Sequence, residues 1–383
     1  MKIISKAPGK ILWLGGYSIL ERLNPGFVTT VDAFSRVKIT YSGDYGVILD
    51  VPQLNLHAAG RIEKHTGALE IAVEERLVLL KTAVETATRY ALESGASLHG
   101  IRIETENDRQ FAYATTKDRI SKSGLGGSAA VTVAAVAGVL KTFGMPPETD
   151  LVHKLSQIAH SVATGKVGSG FDIAAASYGS IVYRRYSPSI LNGFSLEEGN
   201  DRLVRLVESA WDYAMEKFSM PERFRLSFAN FVGESMATTS AIGSVSDFKA
   251  KDPERYSTLM GSINAQNVKA IEALEAIDGD EDAVTRFREA FVSGRRLTKE
   301  LGVLSNTSIE PDDCTDLIEQ SERNGAFVAK LPGAGGRDAI AALCSADADA
   351  QRLSDFWGGR SDLAENPVGF YNKGFSVSEE SVR

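Results

Sequence analysis

Hydrophobic positions along the 383-residue chain repeat with two periods, near 2 and near 3.6, and each change of period marks an element. Lys10 to Leu14 is a short apolar run broken by Gly15-Gly16. Phe27 to Tyr41 is rich in β-branched and aromatic residues, so both stretches predict strands. Leu77, Leu80, Val84, Ala87 and Ala91 recur at helical spacing, which predicts a helix over Arg76–Glu93 stopped at Gly95. Ile101 and Ile103 alternate with Arg102 and Glu104, the pattern of a half-buried strand. Ala129–Phe143 is apolar on every side and predicts a buried helix ended by Gly144 and Pro146-Pro147. Further helices are predicted over Glu148–Val162, Pro253–Ala276, Asp282–Leu301 and Asp312–Arg323, and strands over Ser180–Tyr186, Arg225–Val232 and Phe327–Leu331. Ala339–Leu343 is an apolar run that reads as a helix start, and the polar tail Lys373–Arg383 reads as frayed.

At about 150 residues per domain, a chain of this length holds two domains or one two-lobed unit. The polar stretch Ser187–Leu203, interrupted by Pro188, Gly193 and Gly199, supplies the boundary, giving lobes 1–190 and 191–383. Lys and Arg number 42 against 50 Asp and Glu, a net charge of −8. That balance lacks the basic footprint of a nucleic-acid binder, although a few local cations suffice for an anionic small molecule. Cys314 and Cys344 are too few for a disulfide framework or a four-cysteine zinc site. The N-terminus has no leader-like apolar segment, and no apolar run reaches 18 residues. The expectation is a cytoplasmic protein, monomer or homodimer, with no membrane or nucleic-acid partner. The five histidines show no metal-ligand spacing.

Three glycine-rich stretches carry the candidate chemistry. Lys122-Ser123-Gly124-Leu125-Gly126-Gly127-Ser128-Ala129 leads directly into the buried helix. Glycines let a backbone approach a ligand, and a helix N-terminus adds free N–H donors and partial positive charge, so the segment suits an anion. Ser128 either caps the helix or gives its hydroxyl to a phosphate or Mg²⁺. Lys330-Leu331-Pro332-Gly333-Ala334-Gly335-Gly336-Arg337-Asp338 is a turn between elements or a ligand loop. Lys6-Ala7-Pro8-Gly9-Lys10, followed by Gly15-Gly16-Tyr17, reads alone as turn chemistry beside a solvated lysine.

In this order and spacing, the three stretches resemble the signature set of the GHMP small-molecule kinases, from Pro8 to Asp338. Two positions depart from the family pattern: Gly127 where serine is usual and Arg337 where a third glycine is usual. Ser169-Gly170-Phe171-Asp172, the alanines after it and Gly15-Gly16-Tyr17 resemble the phosphomevalonate kinase branch. The resemblance implies a two-lobed α+β fold, an N-terminal nucleotide-loop lobe and a C-terminal α/β lobe, and transfer of a phosphoryl group from ATP, with Mg²⁺, to a phosphorylated acceptor. It implies catalytic roles for Lys10 and Asp172, the latter as base or as electrostatic anchor for Lys10. Lys122, Gly124, Leu125, Gly126, Gly127, Ser128 and Ala129 would hold the ATP phosphates, with Ser128 near the metal. Gly16, Tyr17, Ser169, Gly333, Ala334, Gly335 and Gly336 would hold the acceptor. Rival readings are another acceptor within the family, such as mevalonate or the substrate of a related decarboxylase, or a non-catalytic binding protein of the same fold.

Overall fold

The structure, a computed structural model, describes residues 2–114, 120–197, 201–233 and 238–380. The first half of the chain runs β1 (Lys2–Leu14), β2 (Gly26–Tyr41), β3 (Gly46–Val51), β4 (Leu56–Ile62), β5 (Leu69–Glu70), α1 (Val78–Glu93), β6 (Ile101–Asn107), β7 (Ala112–Ala114), β8 (Ile120–Lys122), α2 (Gly127–Thr142), α3 (Thr149–Thr164), α4 (Phe171–Tyr178) and β9 (Ile181–Arg184). The second half runs α5 (Arg202–Glu208), β10 (Ala214–Lys217), β11 (Arg225–Phe231), α6 (Thr238–Lys251), α7 (Pro253–Ala276), α8 (Glu281–Leu304), α9 (Asp312–Arg323), β12 (Val328–Lys330), β13 (Ala339–Cys344), α10 (Asp347–Gly358), β14 (Leu363–Glu365) and β15 (Ser376–Glu380).

A large sheet has the order β10-β9-β2-β6-β3-β4-β5, with β1 joined to β2 and to β15. Helix α2 is apolar all round because it is covered on all sides, by β1 and β2 and by α1, α3 and α4. Strand β1 is longer than its sequence suggests. Pro8-Gly9 forms no turn; the register against β2 shifts there, a β-bulge within one continuous strand. The C-terminal segment Ser376–Glu380 is not frayed, because it pairs with Lys2–Lys6 on the free edge of β1. Its mostly exposed polar side chains hid a strand that is held by its backbone. The large sheet therefore recruits β10 and β15 from beyond residue 190, so sheet membership does not follow the expected division strictly.

A second sheet, β12-β13-β11-β14, is antiparallel throughout. Ala339–Cys344 is its central strand rather than the expected helix. Ala339, Ala341 and Leu343 pack with Phe287 and Phe291 of α8, while Ile340, Ala342 and Cys344 pack with Leu317, Ile318 and Trp357 of α9 and α10. A strand buried on both faces loses polar alternation, so a short apolar run does not distinguish it from a buried helix. Both cysteines are buried and unpaired. Among the described residues no helix is long and apolar enough to cross a membrane.

Candidate active site

Lys10 lies mid-strand in β1, just beyond the bulge, and is only 7% exposed. The lysine expected at the surface is thus buried. Its Nζ donates to the Gly124 carbonyl at 3.0 Å and stands 5.5 Å from the centre of the Phe171 ring. Its backbone N–H donates to the Leu125 carbonyl at 2.8 Å. Burial pushes the ammonium pKa down, while the charges of Asp172 and then Asp338 pull it back up. Two carboxylates from distant parts of the chain thus offset part of the cost of desolvating this ammonium.

The glycine stretch fits itself around this lysine. Gly124 and Gly126 have φ of +78° and +81°, a region that L side chains rarely adopt. A Cβ on Gly126 would stand 2.8 Å from Lys10 Cε, so close approach as well as conformation requires glycine. Gly126 caps α2 without any side-chain hydrogen bond, which leaves first-turn N–H groups for a ligand. Ser128 does not cap the helix; it is exposed in the first turn. Leu125 and Ala129 face the core, so they offer a ligand only backbone atoms. A Cβ at Gly127 would stand 3.1 Å from the Phe111 ring, so a side chain there needs that ring to give by a few tenths of an ångström. The Lys122 side chain lies outside the described residues.

Helix α4 begins the same way, on Gly170 at φ +77° with no side-chain cap and with Asp172 in its first turn. The Asp172 carboxylate accepts the Ile173 N–H at 3.0 Å. Buried polar side chains hold the preceding loop: Gln157 donates to the Gly170 carbonyl at 2.8 Å, and Arg185 donates to the carbonyls of Gly168 at 2.9 Å and Leu20 at 3.0 Å. Ser169 sits on this loop beside Asp172.

The remaining predicted residues meet across the chain. Tyr17, at φ +59°, donates its hydroxyl to the Ala334 carbonyl at 2.8 Å, and a Cβ on Gly16 would lie 3.7 Å from the Gly333 carbonyl. Gly335, at φ +78°, packs so tightly that a Cβ would stand 2.2 Å from the Ile309 carbonyl, which also accepts the Gly336 N–H at 2.8 Å. Arg337 points away and pairs with Asp313 at the start of α9, so it leaves the loop's inner edge to glycine and alanine.

A buried amide pair fastens the two glycine loops together. Asn230 in β11 is fully buried, and its Nδ2 donates to the carbonyls of Ser123 and Asp338, both at 3.0 Å. Its Oδ1 accepts from Asn366 Nδ2 at 2.8 Å, and Asn366 also donates to the Gln110 carbonyl at 2.9 Å. This tie joins the loop whose carbonyl holds Lys10 to the backbone of Asp338, whose charge supports the same lysine.

The matched sequence families agree with this geometry. Residues 79–180 match the GHMP kinases N terminal domain, and residues 283–360 match the GHMP kinases C terminal domain. The chain is 30% identical to the phosphomevalonate kinase of Gibberella zeae, covering 92% of this chain and 90% of that one. It is 27% identical to the phosphomevalonate kinase of Candida albicans, covering 96% and 93%. The chain belongs to the GHMP kinase family. Among solved structures, Streptococcus pneumoniae phosphomevalonate kinase in complex with phosphomevalonate and AMPPNP superimposes with a TM-score of 0.74 at 18% identity, over 96% of this chain and 99% of that one.

Several residues of the site escaped the motif reading. Asn230 and Asn366 act through backbone carbonyls of other elements and belong to no local pattern, whereas Arg185 lies in the Tyr183-Arg184-Arg185 stretch that resembles phosphomevalonate kinase and acts through the Leu20 and Gly168 carbonyls. Asparagine in a central strand was the only available signal, because strands are depleted in it.

Proposed function

We propose that this chain transfers the γ-phosphoryl group of ATP to the phosphate of 5-phosphomevalonate, giving ADP and 5-diphosphomevalonate in isoprenoid synthesis by the mevalonate route. The observation that carries the reading is the buried Lys10 ammonium where two glycine-started helices, α2 and α4, converge. The first-turn N–H groups of α2 and the backbone of Gly124 to Gly127 cradle the ATP phosphates. Lys10 offsets the charge spread over the transferring group, already desolvated and therefore effective there. Phosphate monoesters are largely ionised at neutral pH, with a second pKa of about 6, so little proton removal is needed. Asp172 accordingly serves mainly as an electrostatic anchor for Lys10 rather than as a base. Gly16, Tyr17 and Gly333 to Gly336 shape the acceptor side, with Ser169 next to Asp172.

Mg²⁺ bound with ATP neutralises phosphate oxygens, and it characteristically needs only one or two protein ligands beside them. The exposed Ser128 hydroxyl, in the first turn after the loop, fits that role. The lobes divide near residue 190, and a cytoplasmic monomer or homodimer completes the reading. A coupled ADP-release assay across mevalonate, 5-phosphomevalonate, 5-diphosphomevalonate and homoserine tests it. Turnover should be fastest with 5-phosphomevalonate; equal or faster turnover of mevalonate reassigns the acceptor.

A further inference from the structure

Behind the Gly16–Gly333 contact lies a pocket of about 40 Å³, walled by Trp13, Gly16, Arg295, Glu310, Lys330 and Gly333 among others. None of its lining residues belongs to the cluster of Lys10, Phe171 and the phosphate loop. Arg295 and Glu310 pair at 2.8 Å, with side chains only 9% and 7% exposed. The Glu310 carboxylate also accepts the Thr315 hydroxyl at 2.9 Å. Arg295 has five N–H donors, and its buried Nε has no hydrogen-bond partner. Lys330 Nζ, with three donors, gives one to the Trp13 carbonyl at 2.9 Å. Lys299 at the rim is matched by Asp312 at 2.6 Å.

Inside the pocket, two cations therefore face one carboxylate, with donors to spare. Burial draws the Lys330 pKa down to about 8 against the opposing charge of Glu310, the mark of an ammonium short of counter-charge. Buried donors without acceptors are costly, so such a surplus marks a place for an acceptor group from outside. Both charge and size select that group. One unbalanced positive charge calls for a single negative charge. A space of about 40 Å³ admits about three water-sized atoms at 10–15 Å³ each, enough for two carboxylate oxygens.

We propose that the Arg295–Lys330 pocket receives the carboxylate of the acceptor while its phosphate end is presented to Lys10. This rests on the function proposed above, and Gly16, Gly333 and Gly335, shared between the acceptor loops and the pocket wall, connect the two ends. Arg295 presents its Nε and Lys330 its remaining ammonium protons to the two oxygens, making charge-assisted hydrogen bonds.

The test compares 5-phosphomevalonate with its carboxylate methyl ester, in the unaltered chain and in Lys330→Met and Arg295→Lys, the latter retaining the charge beside Glu310. Esterification should raise the acceptor KM of the unaltered chain about 10-fold or more, with kcat and the ATP KM within about twofold. In Lys330→Met the acid should lose a similar factor and the ester little, so the two losses fail to multiply. Arg295→Lys should show the same coupling more weakly. An ester penalty of the same size in all three proteins would overturn the proposal, since the carboxylate would then be bound elsewhere. If no acceptor is turned over, the functional reading fails instead. Calorimetric binding of the same acid and ester then decides the pocket, and equal affinities in the unaltered chain overturn it.

Discussion

Helices α7 and α8 begin differently from α2 and α4. Asp252 accepts the Arg255 N–H at 3.1 Å ahead of α7, and Asp280 accepts the Asp282 N–H at 2.9 Å ahead of α8. At α2 and α4 the cap is a left-handed glycine, Gly126 or Gly170, and in α4 the Asp172 carboxylate in the first turn accepts the Ile173 N–H. A side-chain acceptor at a helix start meets one of the orphan N–H groups and adds stability. Helices α1, α3, α5, α9 and α10 also start without a side-chain cap, so an open start alone marks no site. Among the described helices, α2 and α4 are set apart by starting on a left-handed glycine, and both starts lie beside Lys10. The left-handed glycine, rather than the missing cap, is the feature peculiar to the site, since it lets the backbone N–H groups of a helix start come close to whatever Lys10 faces.

The sharpest way to break this contrast is to remove the charge the glycine-started helices converge on. Lys10→Met keeps the length and apolar stem of the side chain but deletes the ammonium. It should lower kcat by roughly 10²-fold or more, the scale of losing one preorganised electrostatic group. Asp172→Asn should fall in the same range. If Asp172 acts by supporting Lys10, as the charge interaction indicates, the double variant loses far less than the product of the single losses. Cleanly multiplying losses in steady-state kinetics would separate the two residues.

How much of this was legible in the sequence depended on range. Helix α7, with Asp252-Pro253 at its start, and α9, with its strong amphipathic spacing, were predicted with the boundaries the structure gives. The three glycine stretches drew attention to Lys10, to the Gly124–Gly127 loop that closes around it and to Gly16, Tyr17 and Gly333–Gly336, which meet in the fold, because positive φ and close approach leave a mark in residue type. What escaped depends on partners far along the chain. Asn230 ties Ser123, 107 positions away, to Asp338 at 108. Arg295 reads from the sequence as half of a solvated helix pair or as a cation facing the anionic acceptor, and only folding brings it and Lys330 beside Glu310. Strand β13 was invisible because both of its faces are covered and every residue is buried, and β15 because its order comes from backbone pairing.

The next effect sharpens the contrast at the glycine start itself. Gly126→Val forces a β-branched residue into φ +81° and places a Cβ 2.8 Å from Lys10 Cε. Left-handed backbone alone costs such a residue about 1–2 kcal/mol, and either the loop or the lysine must move. The ATP KM should rise by about 10-fold or more, and kcat should fall because Lys10 is displaced with the loop. A folded Gly126→Val protein with unchanged ATP affinity would remove the phosphates from this helix start.

The smallest effect is the counterpart at a closed cap, and it is the control that gives the contrast meaning. Asp252→Ala deletes the acceptor that meets the Arg255 N–H but leaves Pro253 at the first helical position, where its fixed φ still favours the helix. The loss should be about 1 kcal/mol of unfolding free energy, typical for an N-cap aspartate. For a protein of this size that is a fall of only a few degrees in Tm. The ATP KM, the acceptor KM and kcat should stay within about twofold, because Asp252 caps the start of α7, whereas the residue this helix gives to the pocket wall, Asn267, lies about four turns further along. The two substitutions thus predict opposite signatures: Gly126→Val moves kinetics more than the fold, and Asp252→Ala moves the fold and leaves kinetics alone. If removing the α7 cap lowered kcat as steeply as replacing Gly126, the glycine start of α2 would carry no special weight for the chemistry, and its reading as a ligand site would fail.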